Sequence, residues 1–382
     1  MIFVVFVTYL LFISVLSMRQ SISIKWYYIN FVLLICFIGL RGFDTGSLDT
    51  LDYINLLLNR GGKYSGENIE FGFMSYIYLL RPYVKNGTLF LLISTALSLA
   101  PIFYLIRKYS PNKHVSLLGF FLVVSVYIMY FVCMRQVLGM ALELTAIAFA
   151  LSNSRRKWYI FAALSIAAFS VHNTAVIIAI MFLLLFFINI KRYIYIGLVV
   201  GSLLCCAFNV FEDFAIIGSL LIDSLAGESS GAFSRINHYL EVDFDASSSV
   251  RLLSHVTLSV ICLCHALVLN EKRYNSIFTK LYMVGVVVNN MFYAFPEVYR
   301  TSGLFDVFGL VSIGFLAESF MHKDYDIWCK KSYKKALKTV VASFVLYAYY
   351  SFSANCMYQQ NHPNAQTDAT LIPYEFFWED SY

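Results

Sequence analysis

The sequence is short of charge. Of its 382 residues only 13% are Asp, Glu, Lys or Arg, about half the share with which a soluble domain covers itself. In their place stand 59% hydrophobic residues and a mean hydropathy of +0.69, which excludes a soluble globular class. Paired cysteine spacing is lacking too. Six of the eight cysteines (Cys36, Cys133, Cys205, Cys206, Cys262 and Cys264) lie inside apolar runs, so neither a disulfide framework nor a zinc site is indicated. The opening residues MIFVVFVTYLLFISVL lack the basic stretch of a cleavable signal peptide and read as a retained first helix. No internal repeat, low-complexity linker or soluble domain interrupts the chain.

What is present is a succession of apolar runs of about 16–20 residues, each long enough to cross a hydrocarbon core of roughly 30 Å as a helix. Residues 1–382 therefore read as a single all-α, polytopic integral membrane domain, with about 12 transmembrane helices. Two larger loops interrupt it, about 42–86 and 212–250. Segments 115–133 and 301–320 read as single spans, and one short span is open to a re-entrant course. Tyr and Trp at several helix starts, such as Trp26, Tyr27 and Trp158, suit headgroup depth.

The connections sort by charge. Alternate ones hold Arg19 and Lys25; Arg107, Lys108 and Lys113; Arg155, Arg156 and Lys157; Lys191 and Arg192; Lys272 and Arg273; and Lys323 to Lys338. By the positive-inside rule this side is the cytoplasm. The larger loops, the FPEVYR turn and both termini then face outward. The net charge of +5 belongs to the cytoplasmic loops, so no nucleic-acid partner is implied. Within 42–86, LDTLDYINLLL and IEFGFMSYIYLL carry apolar residues at helical spacing. Such amphipathic helices lie along the outer surface or simply cover the bundle.

Three arginines stand at outer helix ends, against that bias: Arg41, Arg135 and Arg300. A guanidinium grips phosphate oxygens through two parallel bonds, which an ammonium does less well, so their shared depth suits a phosphate group. Snorkelling, or salt bridges to Asp44 and Glu297, would place them there as well. Arg135 also lies beside a helix start, where free N–H groups favour an anion, and Gly139 one turn on permits close approach. His172 ends a helix at the same depth and is fit for proton transfer near neutral pH; a polar hairpin capped by Asn173 or Thr174 is the alternative. Glu143, about 12 Å below Arg135, is too far to pair with it directly and needs some other partner. In the 212–250 loop, Arg235, His238 and Tyr239 suit sugar hydroxyls and ring faces, as would many solvated loops.

Together these residues resemble the EpsG family of bacterial polysaccharide polymerases, relatives of the Wzy O-antigen polymerases. LRGFDTGSLDTLDY is similar to the family's Arg, Gly-and-Asp turn and Tyr, here Arg41, Gly46, Asp49 and Tyr53. IEFGF resembles its Glu-x-Gly-aromatic stretch (Glu70, Gly72, Phe73), and MRQVLGMAL its Arg-Gln helix start (Arg135, Gln136). FSVHNTAVI resembles its His hairpin (His172, Thr174), YRTSGLF its late Arg (Arg300, Phe305), and IPYE its closing Pro-Tyr (Pro373, Tyr374). GSLD is one residue longer than the compact turn of the family, and Leu304 stands at a usual aromatic place.

The resemblance implies a GT-C-like glycosyltransferase bundle in the bacterial inner membrane, working at the periplasmic face. A growing glycan passes from undecaprenyl pyrophosphate to a sugar hydroxyl of a new lipid-linked repeat unit. His172 and Arg135 are then catalytic, and Arg41, Arg300, Gln136, Asp49, Tyr53 and Glu70 bind substrate or pyrophosphate. Guanidinium groups can take the place of a cation beside a phosphate, so no metal or other cofactor is expected. A chain-length regulator is a partner on the family's account alone. Two rivals stay open: an O-antigen ligase on the same scaffold, and a flippase or exporter of lipid-linked sugars.

Overall fold

The computed structural model of the protein describes residues 2–20, 22–42, 48–60, 69–208, 210, 248–292 and 296–321. These residues form an all-helical bundle. Its first half comprises α1 (Ile2–Arg19), α2 (Ile24–Gly39), α3 (Leu48–Leu58), α4 (Phe71–Leu80), α5 (Gly87–Tyr109), α6 (Lys113–Leu122), α7 (Val124–Val132) and α8 (Met134–Ala150). Then follow α9 (Lys157–Val171), a 3-10 turn (Asn173–Ala175), α10 (Val176–Phe186) and α11 (Arg192–Ala207). The second half holds α12 (Ser248–Val268), the single turn α13 (Glu271–Tyr274), α14 (Ile277–Met291), α15 (Pro296–Asp306) and α16 (Gly309–Met321). The 212–250 loop up to residue 247, the expected last span and Pro373 and Tyr374 lie outside the described residues.

α5 shows how local signals set an element. The Asn86 side chain accepts the Thr88 N–H at 2.7 Å, satisfying one of the donors a helix start leaves open. Arg107 and Lys108 close the last turn, where cations meet the negative end of the helix dipole. Among the described residues α5 is the one helix long and apolar enough to cross a membrane by length and composition. Elsewhere the apolar helical stretches run 10–17 residues, Val5–Met18 of α1 and His255–Val268 of α12 among them.

Two segments that read as single spans are broken. Segment 115–133 divides into α6 and α7 at Val123 (φ −93°, ψ 85°), and segment 301–320 divides into α15 and α16 at Val307 and Phe308. After the second break α16 starts at a glycine packed closely on its neighbour: a Cβ on Gly309 would stand 2.7 Å from the Tyr282 ring. Non-helical backbone at membrane depth is tolerated where protein covers it; Val123, Val307 and Phe308 are all completely buried.

The bundle buries polar groups and exposes apolar ones. Tyr159, Ile166, Phe187 and Phe208 stay largely exposed, whereas Asn290 is buried and joins three helices. It donates to Ser202 Oγ (3.1 Å) and Ser259 Oγ (2.8 Å), and its Oδ1 lies 3.3 Å from His255 Nδ1. Hydrogen bonds of this kind hold helices together in lipid, where burying apolar side chains adds little.

Contacts between helix ends bring the basic connections together. Ser14 at the end of α1 donates to His114 O at the start of α6. Tyr27 donates to Phe103 O, and Arg107 stacks over Tyr28. Lys280 donates to Leu185 O and Ile188 O, Arg192 to Leu269 O, and Arg273 to Ser319. Gly314 of α16 meets Ser110, Ser116 and Asn112 O, which links the two groups of ends.

The opposite end carries a separate small core. Tyr53, Ile54 and Leu57 of α3 and Phe73 and Ile77 of α4 pack with Phe90 and Leu91 of α5, Met134 and Leu138 of α8, and Val171 of α9. Arg81 donates to Leu56 O and Leu57 O (2.7 and 3.2 Å), capping the end of α3 and tying it to α4. The two amphipathic helices are therefore fixed to the bundle, and each delivers a polar side chain to one point.

Candidate functional site

Glu70 stands immediately ahead of α4 as its N-cap residue. Its Oε2 accepts from Arg135 Nη1 at 2.7 Å, and its Oε1 lies 3.0 Å from His172 Nδ1. Arg135 belongs to the first turn of α8 and donates from Nε to the Tyr53 hydroxyl at 2.7 Å. His172 caps the end of α9 in extended conformation (φ −156°, ψ 121°), outside both helices it connects. One carboxylate thus joins residues 65 and 102 positions away.

Local geometry explains the meeting. Cys133 interrupts the chain between α7 and α8 (φ −104°, ψ 62°), and the new helix starts with Arg135 in its first turn. Gly139, one turn on, faces the hairpin: a Cβ there would stand 3.1 Å from His172 Cβ and 3.2 Å from Ala175 Cβ. Gly72 faces Ser170; a Cβ there would lie 2.6 Å from that residue's carbonyl carbon and oxygen and closer still to its Oγ. The two glycines draw α8 and α4 onto the end of α9, and Glu70 and Arg135 arrive beside His172.

The Glu70, Arg135 and His172 side chains are all about four-fifths buried (17–22% exposed). Burial works to raise the Glu70 carboxyl, but its own backbone N–H, Arg135 and His172 outweigh it and hold it below the usual carboxylate value. Burial holds the His172 imidazole below its ordinary value; Glu70 opposes this and Arg135 adds to it. The imidazole is therefore neutral at pH 7. With an ionised carboxylate as partner, Nδ1 is the nitrogen that carries the hydrogen, and Nε2 presents its lone pair. The arrangement supplies a base oriented by a carboxylate, beside a guanidinium oriented by the same carboxylate and a phenol.

The sequence-predicted residues divide by position. His172, Arg135, Glu70 and Tyr53 converge. Gln136 is buried beside Arg135 at the start of α8. Arg41 is buried (2% exposed) and donates to Ile38 O at 2.6 Å and Phe131 O at 3.1 Å, joining the end of α2 to the last turn of α7. Asp49 lies on α3 and Arg300 on α15, with side chains outside the described part.

Glu70 is the residue whose role the sequence understated. The sequence places it among the substrate-binding residues; the structure adds that both of its oxygens are engaged by protein groups. The expected side-chain cap of the hairpin is not made either: α10 begins without one, and Thr174 Oγ1 is buried with no hydrogen-bond partner among the described residues. Glu143 is fully buried and accepts from Ser165 Oγ of α9 at 2.9 Å, which identifies the partner an intramembrane carboxyl requires.

A bundle with polar groups inside and apolar groups outside, bearing a histidine, a carboxylate and an arginine joined at one end, defines a helical membrane protein with a candidate catalytic site. The chain belongs to the EpsG family, matching it over residues 24–376. This family is associated with polysaccharide polymerase-type, glycosyltransferase-like activity. No curated protein and no solved structure matches the chain.

Proposed function

We propose that the protein is a polysaccharide polymerase of the bacterial inner membrane, crossing it about 12 times as a GT-C-like bundle, with its site facing the periplasm. The observation that carries this reading is the Glu70 carboxylate holding His172 and Arg135 together (3.0 and 2.7 Å) at the end opposite the basic connections. The donor is a growing glycan on undecaprenyl pyrophosphate, and the acceptor is a sugar hydroxyl of a new lipid-linked repeat unit.

In the proposed step, His172 Nε2 takes the proton of the acceptor hydroxyl as that oxygen bonds to the donor's anomeric carbon. The bond from this carbon to the pyrophosphate oxygen breaks, and its electron pair leaves with the lipid pyrophosphate. Arg135 meets the charge that develops there, and preorganised groups of this kind usually supply the largest part of catalysis. Arg41 and Arg300 are read as further groups around the pyrophosphate, Arg41 by fixing the end of α7 ahead of Arg135. Tyr53, Gln136 and Asp49 complete the substrate face, and a chain-length regulator is the expected protein partner.

The test is glycan length in a deletion strain complemented with wild type or His172→Ala at matched membrane levels. Single repeat units with His172→Ala are the expected result, and full-length polymer would remove His172 from the mechanism. Failure of even single units to reach the periplasm without the protein would favour a flippase. Normal polymer that never leaves its lipid carrier in the deletion strain would favour a ligase. Because guanidinium groups take the place of a cation, polymerisation by the purified protein is expected to proceed unchanged in excess EDTA; a loss reversed by adding back a divalent cation would refute metal independence.

A further inference from the structure

We propose that Glu70 couples the anion held at Arg135 to the proton held at His172, so that donor binding makes the histidine a stronger base. The inference rests on the reading above for the identity of the anion, a pyrophosphate, and deepens it. A single carboxylate charge is shared: Oε1 faces His172 and Oε2 faces Arg135. Whatever draws Arg135 away from Oε2 leaves more of that charge to act on the imidazole.

The packing decides which of the two contacts yields. Glu70 sits two residues before Gly72, which lies directly against the backbone of Ser170, two residues before His172. Gly139 seats α8 against His172 in the same way, so the backbones are fixed and a side chain must yield: the long, flexible one of Arg135 can turn to an incoming anion, whereas Glu70 and His172 are anchored beside the Gly72–Ser170 contact. Arg135 comes from a different element, α8, and is held on its other side by Tyr53 of α3 (2.7 Å). A phosphate oxygen competing for the guanidinium thus displaces the Arg135–Glu70 contact and leaves the Glu70–His172 contact in place. Among the described residues, the charged and titratable groups around His172 are Glu70 ahead of α4 and Arg135 of α8. Tyr53 of α3 lies behind Arg135, and Glu143 of α8 lies one turn beyond Gly139; α10 and the 3-10 turn contribute none.

Coupling of this kind is reciprocal. If pyrophosphate raises the proton affinity of His172, a protonated His172 raises the affinity for pyrophosphate by the same factor. Before transfer, the base gains strength only with a donor in place. After transfer, the lipid pyrophosphate stays tightly held until His172 has lost its proton, so the proton leaves first.

The experiment uses full-length purified protein in detergent with inorganic pyrophosphate as the probe. The His172 titration is followed by NMR of isotope-labelled histidine and assigned by difference from His172→Gln. Saturation of the site by pyrophosphate is checked by calorimetry. In wild type, saturating pyrophosphate is expected to raise the His172 midpoint by roughly one pH unit, a tenfold coupling. In Glu70→Gln the shift falls to less than half, because only the direct field of the anion remains. A ligand-free cycle supplies a second reading: Arg135→Gln raises the midpoint, and by clearly less when Glu70→Gln is already present. Equal shifts with and without the Glu70 carboxylate would overturn the coupling, and so would bound pyrophosphate that leaves wild-type His172 unmoved. Absence of pyrophosphate binding would overturn both the coupling and Arg135 as an anion site. Full-length glycan from His172→Ala cells would sink the catalytic reading while leaving the coupling to stand on its titrations.

Discussion

With Arg135 replaced by alanine, lipid-linked single repeat units are expected to accumulate and polymer to vanish, a loss of about 10²–10³ in turnover. In the proposed step the leaving group is a pyrophosphate whose growing charge the guanidinium meets, and Tyr53 and Glu70 steady that guanidinium at 2.7 Å each. Lysine keeps the charge but not the planar fork, so Arg135→Lys is expected to restore only short chains. Stability must be separated from chemistry. Removing one partner of a buried ion pair costs roughly 3–5 kcal/mol at the upper end, and this pair is about four-fifths buried. The double variant Arg135→Ala/Glu70→Ala leaves no orphaned charge and is expected to recover thermal stability without recovering polymer. A gel ladder of lipid-linked glycans, run beside a thermal melt of each purified variant, measures both. Wild-type chain lengths from Arg135→Ala would end the case for Arg135.

How far the sequence was legible depends on which property carries each feature. Membrane class and helical content follow from composition, because too few charges exist to clothe a soluble surface. The basic connections were legible because charge alternates along the chain, and the contacts of Ser14, Lys280, Arg192 and Arg273 place those ends together. A shared level was legible in the same way: Arg135, His172 and Glu70 stand at helix ends that meet at one end of the bundle. Angular position was not, since sidedness says nothing about which face of a helix a residue occupies. That information lies in close approaches such as Gly72 on Ser170 and Gly139 on His172, which involve residues far apart in sequence. The breaks at Val123 and Val307–Phe308 were hidden for a related reason. The first lies in a continuous apolar run, where hydropathy registers no interruption, and the second follows Asp306 and precedes Gly309, which packs against the Tyr282 ring. The motif around Glu70 was visible in the sequence while its two partners were not.

Gly72→Ala is expected to reduce polymerisation by about 10²-fold or more although residue 72 contacts no reacting atom, since a displacement of about 1 Å at a catalytic group can cost that much. The methyl group would meet Ser170 backbone atoms at 2.6 Å, and backbone cannot step aside as a flexible side-chain tip can. α4 must therefore lift from α9, and Glu70 moves with it. His172 then loses the carboxylate that fixes its tautomer, and Arg135 loses one of its holds. Overpacking of this kind costs about 1–3 kcal/mol in stability, modest beside the catalytic loss, so the variant should still reach the membrane. The contrast is Ser170→Gly, which removes only the side chain and leaves the backbone contact; its chain lengths should stay near wild type. Measuring glycan length and thermal midpoint for both decides the matter. If Gly72→Ala makes normal polymer, α4 has some freedom over α9, and the rigid Glu70–His172 unit on which the coupling depends is lost as well.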